Sequence, residues 1–215
     1  MATGARHPTL AMGDTPRLGR RFYARYTPTV ARELLGCLLV RVEGKKRLSG
    51  IIVETEAYRG SGDPASHAYS GKTRRNEVMF GEPGHAYVYF TYGFHHCLNL
   101  TTEREGIPGA VLIRAVEPVE GVETMIARRG LEDAARAADG PGKLTQALGI
   151  DRRLNGEDLI SSKRLFVEAG SGPVPVGTSA RVGIKLGVDR RWRYYVKGSR
   201  FVSRGRPAVA HSQNP

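Results

Sequence analysis

One stretch in the first third of the chain decides the fold, and it reads Leu48-Ser49-Gly50-Ile51-Ile52-Val53-Glu54-Thr55-Glu56-Ala57-Tyr58. Its apolar and β-branched residues favour a strand, in which successive side chains point to opposite faces. We therefore expect Glu54 and Glu56 to share one face and Thr55 to lie on the other. A carboxylate embedded in such an apolar strand is a candidate general base.

Further apolar runs on both sides of this stretch predict the rest of the fold. Helices are expected from Thr27-Pro28, over 120–129 and over 141–148, and strands over 37–42, 86–91, 97–102, 110–116, 164–168, 180–186 and 192–196. A Gly- and Pro-rich stretch, 59–76, is long for a loop and predicts a functional one. The pattern predicts an α+β protein, a single mixed domain over 21–204 with a central, largely antiparallel curved β-sheet surrounded by helices. We expect 1–20 to be a disordered leader and 205–215 a flexible tail.

The charge of the chain indicates a polyanionic partner. Its 33 Lys and Arg residues outnumber 21 Asp and Glu residues, which gives a formal net charge of +12. A basic surface attracts nucleic acid or an anionic membrane. No apolar run approaches the ~20 residues of a membrane-spanning helix, so no membrane partner is expected. Cys37 and Cys97 lie in apolar runs without metal-ligand spacing, which predicts reduced core residues in a cytoplasmic compartment.

Three polar residues interrupt strands that are otherwise suited to burial: Glu56, Asn99 and Arg114. A lone buried charge is costly, so Glu56 and Arg114 are expected to find partners. Two interpretations remain open. In the first, the two residues form a purely structural ion pair between strands. In the second, the ion pair is kept and a water is added between the two groups; the carboxylate accepts the proton of this water, and the guanidinium fixes the orientation of the water.

Aromatic residues cluster near the same strands: Tyr58, Tyr87, Tyr89 and Tyr92. A single tyrosine in a strand is more often a packing residue, but a group of four is also a stacking platform for nucleobases. Tyr92 precedes Gly93 at an expected turn, where an exposed aromatic side chain can act as a wedge in a duplex.

The remaining candidates are individually weaker. Four cations could contact phosphate, although each alone is an ordinary solvated charge: Lys72, Arg74, Arg75 and Lys143. His67 taken alone is an ordinary surface histidine. The pair His95-His96 lacks the spacing of a metal site, so no metal is predicted.

These residues belong to segments that match a known family in order and spacing. The segments include Ile52-Val53-Glu54-Thr55-Glu56-Ala57-Tyr58, Tyr87-Val88-Tyr89, Cys97-Leu98-Asn99, Leu112-Ile113-Arg114-Ala115-Val116-Glu117-Pro118 and Arg181-Val182-Gly183. From about Phe22 to Ser203 the chain resembles the alkyladenine (3-methyladenine) DNA glycosylases of the mammalian type. The resemblance implies a monomeric, monofunctional enzyme of base excision repair without a cofactor. It would flip alkylated or deaminated purines out of damaged double-stranded DNA and hydrolyse the N-glycosidic bond, leaving an abasic site.

The resemblance also implies roles for individual residues. Glu56 would be the general base that activates the attacking water. Arg114 and the backbone of Val182 would help to hold that water.

The enzyme would work in the cytoplasm, associated with the nucleoid in a bacterium, or in the nucleus of a eukaryote.

Other residues would bind the substrate if the resemblance holds. Tyr58, His67 and Tyr89 would enclose the flipped base. Asn99 would obstruct the exocyclic amine of normal guanine, which would give selectivity. Tyr92 would occupy the gap that the flipped nucleotide leaves in the duplex.

Two other functions are compatible with these residues. A non-catalytic nucleic-acid-binding module would stack bases on Tyr58, Tyr89 and Tyr92 and would not need Glu56. A carbohydrate hydrolase would use Glu54 or Glu56 as one of two carboxylates at a suitable separation, and the positive charge gives that function no support. The lesion preference is left open, because His95-His96 stands where mammalian members carry aromatic residues.

Overall fold

The computed structural model of the protein describes residues 15–91, 93 and 95–205. Four α-helices are found in this part of the chain: α1 (Arg20–Tyr23), α2 (Thr27–Glu33), α3 (Val122–Arg129) and α4 (Pro141–Leu148). Eight strands are found there: β1 (Leu38–Glu43), β2 (Lys46–Arg59), β3 (Ala86–Thr91), β4 (His95–Thr101), β5 (Gly109–Glu120), β6 (Leu165–Glu168), β7 (Val176–Ser179) and β8 (Arg193–Val196). No described helix is both long and apolar enough to pass through a lipid bilayer.

The described strands form one antiparallel sheet built around β2. Its main path runs β3-β4-β5-β2-β1-β6. The long strand β2 pairs with β5 along one edge, and its other edge pairs first with β1 and then with β8, which also pairs with β7. The sheet curls into a half-barrel, and the prediction of a single α+β domain with a curved antiparallel sheet is confirmed.

Two β-bulges interrupt the pairing of β2 with β5 at the centre of the sheet. Glu54 pairs with Ala115 and Thr55 with Ile113, so Arg114 is the extra residue on β5. On β2, Val53 is the extra residue next to Glu54. A bulge redirects a side chain and increases the local twist. Here it lets the guanidinium of Arg114 reach along the face of β2 instead of standing opposite a single partner.

The hydrophobic core fixes the orientation of β2. Its largest cluster contains Ile52 and Ile113 of the sheet with Leu34, beside α2, and Leu144 of α4. The hydroxyl of Thr55 donates to the carbonyl of Ala31 in α2 at 2.7 Å. Because Thr55 thus faces α2, Glu54 and Glu56 point to the opposite face, as their spacing predicts.

Most of the predicted elements are present, but one strand prediction is wrong. Residues 180–186 form an irregular loop, and the nearby strand is β7, which ends at Ser179. Gly183 has a φ of 74°, in the left-handed region that an extended strand cannot contain. The predicted loop at 59–76 begins one residue later, because β2 extends to Arg59. Cys37 and Cys97 are both buried and free.

Candidate active site

A cavity of about 370 Å³ lies where β2, β3, β4 and β5 meet two loops, residues 60–76 and 180–187. Its volume is within the range of ~300–1,000 Å³ that is common for small-ligand pockets. Six of the predicted site residues line it: Tyr58, His67, Tyr89, Asn99, Arg114 and Val182. Tertiary structure therefore brings together side chains from four strands and two loops.

Glu56 is fully buried directly behind this lining. Its Oε2 accepts hydrogen bonds from the Tyr58 hydroxyl at 2.8 Å and from Nη1 of Arg114 at 3.3 Å. Its Oε1 accepts from the backbone N–H of Val182 at 2.6 Å. All three donors line the cavity, so the groups that orient the carboxylate also face a ligand there. Because a carboxylate offers about four lone-pair sites, these contacts leave capacity for a further donor.

Arg114 is shared between Glu56 and a second carboxylate, Glu54. Its Nε donates to Glu54 at 2.7 Å, which is closer than its contact with Glu56. Glu54 also accepts from Nε of Arg193 at 2.7 Å and from the N–H and hydroxyl of Ser203 at 2.7 and 2.9 Å. Two buried carboxylates thus face two buried guanidinium groups, so their formal charges balance.

The pKa shifts in this network follow from its ion pairs. Burial alone would raise the pKa of Glu54, but the guanidinium groups of Arg114 and Arg193 outweigh burial and hold that pKa below its ordinary value. Burial opposes the charge of Arg114 too, and Glu56 and Glu54 nevertheless raise its pKa. For Tyr58, burial and the neighbouring Glu56 raise the pKa well above its ordinary value, so its hydroxyl keeps the proton that it donates.

One wall of the cavity is aromatic. The rings of His67 and Tyr89 meet edge to face with centroids 4.5 Å apart, and Nδ1 of His67 lies 3.0 Å from the hydroxyl of Tyr87. Burial, with a smaller effect from Arg75, lowers the pKa of His67, so the imidazole is neutral at neutral pH. Asn99 is buried at the same wall and donates to the carbonyl of Tyr87 at 3.1 Å. The wall thus offers flat apolar faces with few polar groups.

Three of the predicted phosphate contacts are exposed on the loop beside His67: Lys72, Arg74 and Arg75. Asn76 organises this loop, because its amide accepts from the N–H of Thr73 at 2.6 Å and donates to the carbonyl of His67 at 2.8 Å. Lys143 differs from the other cations, since its ammonium group donates to Asp139 at 2.6 Å. Tyr92, the predicted wedge, lies outside the described residues.

Sequence reasoning missed several residues that support the site. They are Asp63, Arg181, Arg193 and Ser203, together with Glu54 as the closer partner of Arg114. Arg193 could have been found, because it interrupts a predicted strand in the same way as Arg114. Arg181 and Ser203 lie outside regular strands, where no periodic pattern indicates burial.

The fold and the site define a class of protein: a basic α+β domain that can hold a flat aromatic ligand beside a buried carboxylate. Comparison with known sequences then gives the family. The chain belongs to the methylpurine-DNA glycosylase family, whose sequence profile matches residues 21–200.

Individual relatives agree with this assignment over most of their length. The chain is 50% identical over 190 residues to a protein of Carboxydothermus hydrogenoformans, covering 87% of this chain and 98% of the relative. It is 52% identical over 188 residues to a protein of Methanoculleus marisnigri, with 85% and 96% covered. A protein of Chlorobaculum tepidum is 48% identical over 193 residues, with 89% and 92% covered. All three are named provisionally as 3-methyladenine DNA glycosylases.

Proposed function

We propose that the protein is a monofunctional DNA glycosylase of base excision repair that acts on alkylated or deaminated purines. Family membership and the names of the relatives support the coarser statement, a DNA glycosylase of the methylpurine type. The observation that carries the finer one is Glu56, a fully buried carboxylate oriented by two groups of the cavity wall, Tyr58 and Val182. A carboxylate held in this way can serve as a general base.

The reaction is a hydrolysis at C1′ of the damaged nucleotide. Water forms a bond to C1′ while the bond from C1′ to the purine nitrogen breaks and its electron pair leaves with the base. Glu56 accepts a proton from the attacking water, and its negative charge stabilises the oxocarbenium character of the transition state. Arg114 and the N–H of Val182 fix the carboxylate, so that it need not reorganise during the reaction.

The aromatic wall is the binding site for the flipped base. Stacking recovers about 1–3 kcal/mol per base, which offsets the few kcal/mol that flipping costs for a damaged pair. Tyr58, His67 and Tyr89 enclose the base, and a cationic alkylated purine gains further from their faces. Asn99 obstructs the amine of normal guanine. Tyr92 acts as the wedge, a role that rests on its position before Gly93 and on the family resemblance.

The partner is damaged double-stranded DNA, and the enzyme acts as a monomer in the compartment that holds the DNA. The net charge of +12 and the exposed cations Lys72, Arg74 and Arg75 favour phosphate contacts. Strand cleavage by a lyase requires an amine that attacks the sugar. Among the described residues that line the cavity there is no lysine, which supports a hydrolase without lyase activity.

The test is single-turnover excision from duplexes that carry hypoxanthine, ethenoadenine or an alkylated purine, with excess enzyme. Wild type should leave sites that alkali cleaves, and no cleavage should occur without alkali. Glu56→Gln should bind the same duplexes but lower the excision rate by roughly 10²–10⁴-fold, the usual contribution of a general base. The matched control is Glu123→Gln, an exposed glutamate on α3, which should match wild type.

Each contrary result has a separate meaning. Retained excision by Glu56→Gln would remove this residue from the mechanism. Tight binding by wild type without excision of any of the three lesions would favour the non-catalytic binding module. Borohydride trapping of a covalent complex would show an amine nucleophile and contradict the hydrolytic mechanism.

A further inference from the structure

A second buried ion pair, Arg181 with Asp63, lies next to the site without touching Glu56. Both side chains are fully buried. The two terminal nitrogens of Arg181 donate to the two carboxylate oxygens of Asp63 at 2.6 and 2.7 Å, and Nη1 also donates to the carbonyl of Ala57 at 2.9 Å. The guanidinium carbon lies 4.6 Å from the centre of the Tyr58 ring. The pair therefore joins the end of β2 to both loops that line the cavity.

Arg181 directly precedes Val182, whose N–H donates to Glu56 at 2.6 Å. The immobilised side chain of Arg181 therefore belongs to the residue next to Val182, whose N–H orients the carboxylate of Glu56. The same guanidinium lies over the ring of Tyr58, another wall residue that donates to Glu56. Arg181 is thus adjacent in sequence to one donor to Glu56 and in contact with the ring of another.

Asp63 organises the loop on the other side of the cavity. Its carboxylate accepts from the backbone N–H groups of Arg59 at 3.1 Å and Ala65 at 3.3 Å, and its carbonyl accepts from the N–H of Ser66 at 2.9 Å. Ser66 immediately precedes His67 of the aromatic wall. The carboxylate that holds Arg181 is therefore also the centre of the turn that presents His67.

The arrangement is poorly suited to a purely stabilising role. Desolvation of two charges can cost as much as their attraction returns, so a buried ion pair is by itself weak evidence for stability. Nε of Arg181 is buried and has no acceptor among the described residues. An unsatisfied buried donor is a further cost that calls for an explanation.

We infer that Arg181, held by Asp63, is a positioning residue of the proposed glycosylase: it fixes the N–H of Val182 on Glu56 and the loop that carries His67. This inference rests on the proposed function for its effect on catalysis. Arg181 need not contact the substrate to have this effect. A displacement of the order of 1 Å at a reacting group can lower a rate by about 10²-fold, and we expect an effect of this size.

The experiment compares Arg181→Lys, Arg181→Ala and Asp63→Asn with wild type at saturating enzyme, well below the unfolding temperature of each variant. We expect single-turnover excision to fall by about 10²-fold in all three, measured with enforced saturation so that weaker lesion binding through His67 does not limit the rate. Guanidinium chloride at low millimolar concentration should partly restore Arg181→Ala, and sodium chloride at equal ionic strength should not. A merely structural role would lower the unfolding temperature without this chemical rescue.

Arg190→Ala is the matched control. Arg190 lies just beyond the 180–187 loop and before β8, donates to the carbonyl of Gly62 and has its guanidinium carbon 4.6 Å from the Trp192 ring centre, but it is partly exposed. Its rate should stay within about twofold of wild type, as is usual for surface changes. Rates within twofold of wild type for a folded Arg181→Lys or Asp63→Asn would overturn the inference, even if Arg181→Ala does not fold.

A second measurement is independent of activity. The amide of Val182 should be protected from hydrogen exchange in wild type and should exchange faster in Arg181→Lys, whereas unchanged exchange contradicts the positioning role. If wild type excises no lesion, the proposed function fails, and the exchange rates still decide whether Arg181 positions Val182.

Discussion

The two ends of the charged network on β2 differ, although each is built on a fully buried glutamate in contact with Arg114. At the inner end, Glu54 accepts four hydrogen bonds at 2.7–2.9 Å from Arg114, Arg193 and Ser203. At the cavity end, Glu56 accepts from three wall groups, of which Arg114 makes the longest contact at 3.3 Å. The inner carboxylate accepts about as many hydrogen bonds as it has lone-pair sites and contacts both arginines, whereas the outer carboxylate keeps capacity for a further donor.

Among the variants that test this comparison, Glu54→Gln should have the largest effect, a loss of folding stability. Removing the negative charge leaves Arg114 and Arg193 partly uncompensated in the interior. Breaking a buried ion pair from one side typically costs about 3–5 kcal/mol, and we expect a loss of that size in the free energy of unfolding. Urea unfolding followed by circular dichroism measures it. A loss no larger than that of Glu56→Gln would show that the two ends do not differ energetically.

The pH dependence of the same variant sharpens the comparison. Because the pKa of Glu54 is lowered on folding, its ionised form stabilises the folded state above the unfolded value near 4.5, and this contribution is lost as pH falls through the folded pKa. The stability difference between wild type and Glu54→Gln should therefore be constant near neutral pH and shrink below about pH 4.5. A difference that grows on acidification would contradict the assigned direction.

Tyr58→Phe tests the cavity end with an intermediate expected effect. The variant keeps the ring that faces the base and loses only the hydroxyl that donates to Glu56 at 2.8 Å. A hydrogen bond to a charged group contributes about 1.5–3 kcal/mol, so we expect the excision rate to fall roughly 10–100-fold through poorer orientation of the carboxylate. Single-turnover kinetics measure this rate. An unchanged rate with intact lesion binding would mean that Val182 and Arg114 suffice.

Ser203→Ala should have the smallest effect. It removes the hydroxyl that donates to Glu54 at 2.9 Å, while the backbone N–H of the same residue still donates at 2.7 Å. We expect a loss of about 1.5 kcal/mol in the free energy of unfolding, the low end for a hydrogen bond to a charged group, and little change in excision. Thermal unfolding and excision assays run in parallel would check both. A large drop in excision would extend the catalytic machinery to the inner end.

Much of the fold follows from local sequence patterns. The strand Ala86–Thr91 and the helix Pro141–Leu148 have the predicted bounds, because apolar periodicity and Gly or Pro boundaries are local signals. The strand predicted over 180–186 is wrong, since this stretch of apolar residues interrupted by Arg181 and Lys185 has Gly183 in the left-handed region and folds as a loop. The bulge at Arg114 was also beyond prediction, because bulges depend on pairing with another strand.

The candidate site divides in the same way. Glu56, Asn99 and Arg114 could be selected from the sequence because each interrupts an apolar strand. Val182 followed only from the family resemblance, and the pair of Arg181 with Asp63 followed from no pattern, since the contacts of Val182 with Glu56 and of Arg181 with Asp63 join residues 126 and 118 positions apart. The roles proposed for these residues stay predictions until the variants are measured.

The sequence by itself determined a basic α+β domain whose central strand carries two carboxylates on one face, because side-chain alternation and net charge depend only on residue order. The sequence also indicated the family, through motifs spread over nearly the whole chain. Only the tertiary structure decided that Arg114 binds Glu54 more closely than Glu56, and that Arg181 anchors two loops around the cavity. Those outcomes depend on bulges and on buried charges that find partners far along the chain, which no local pattern encodes.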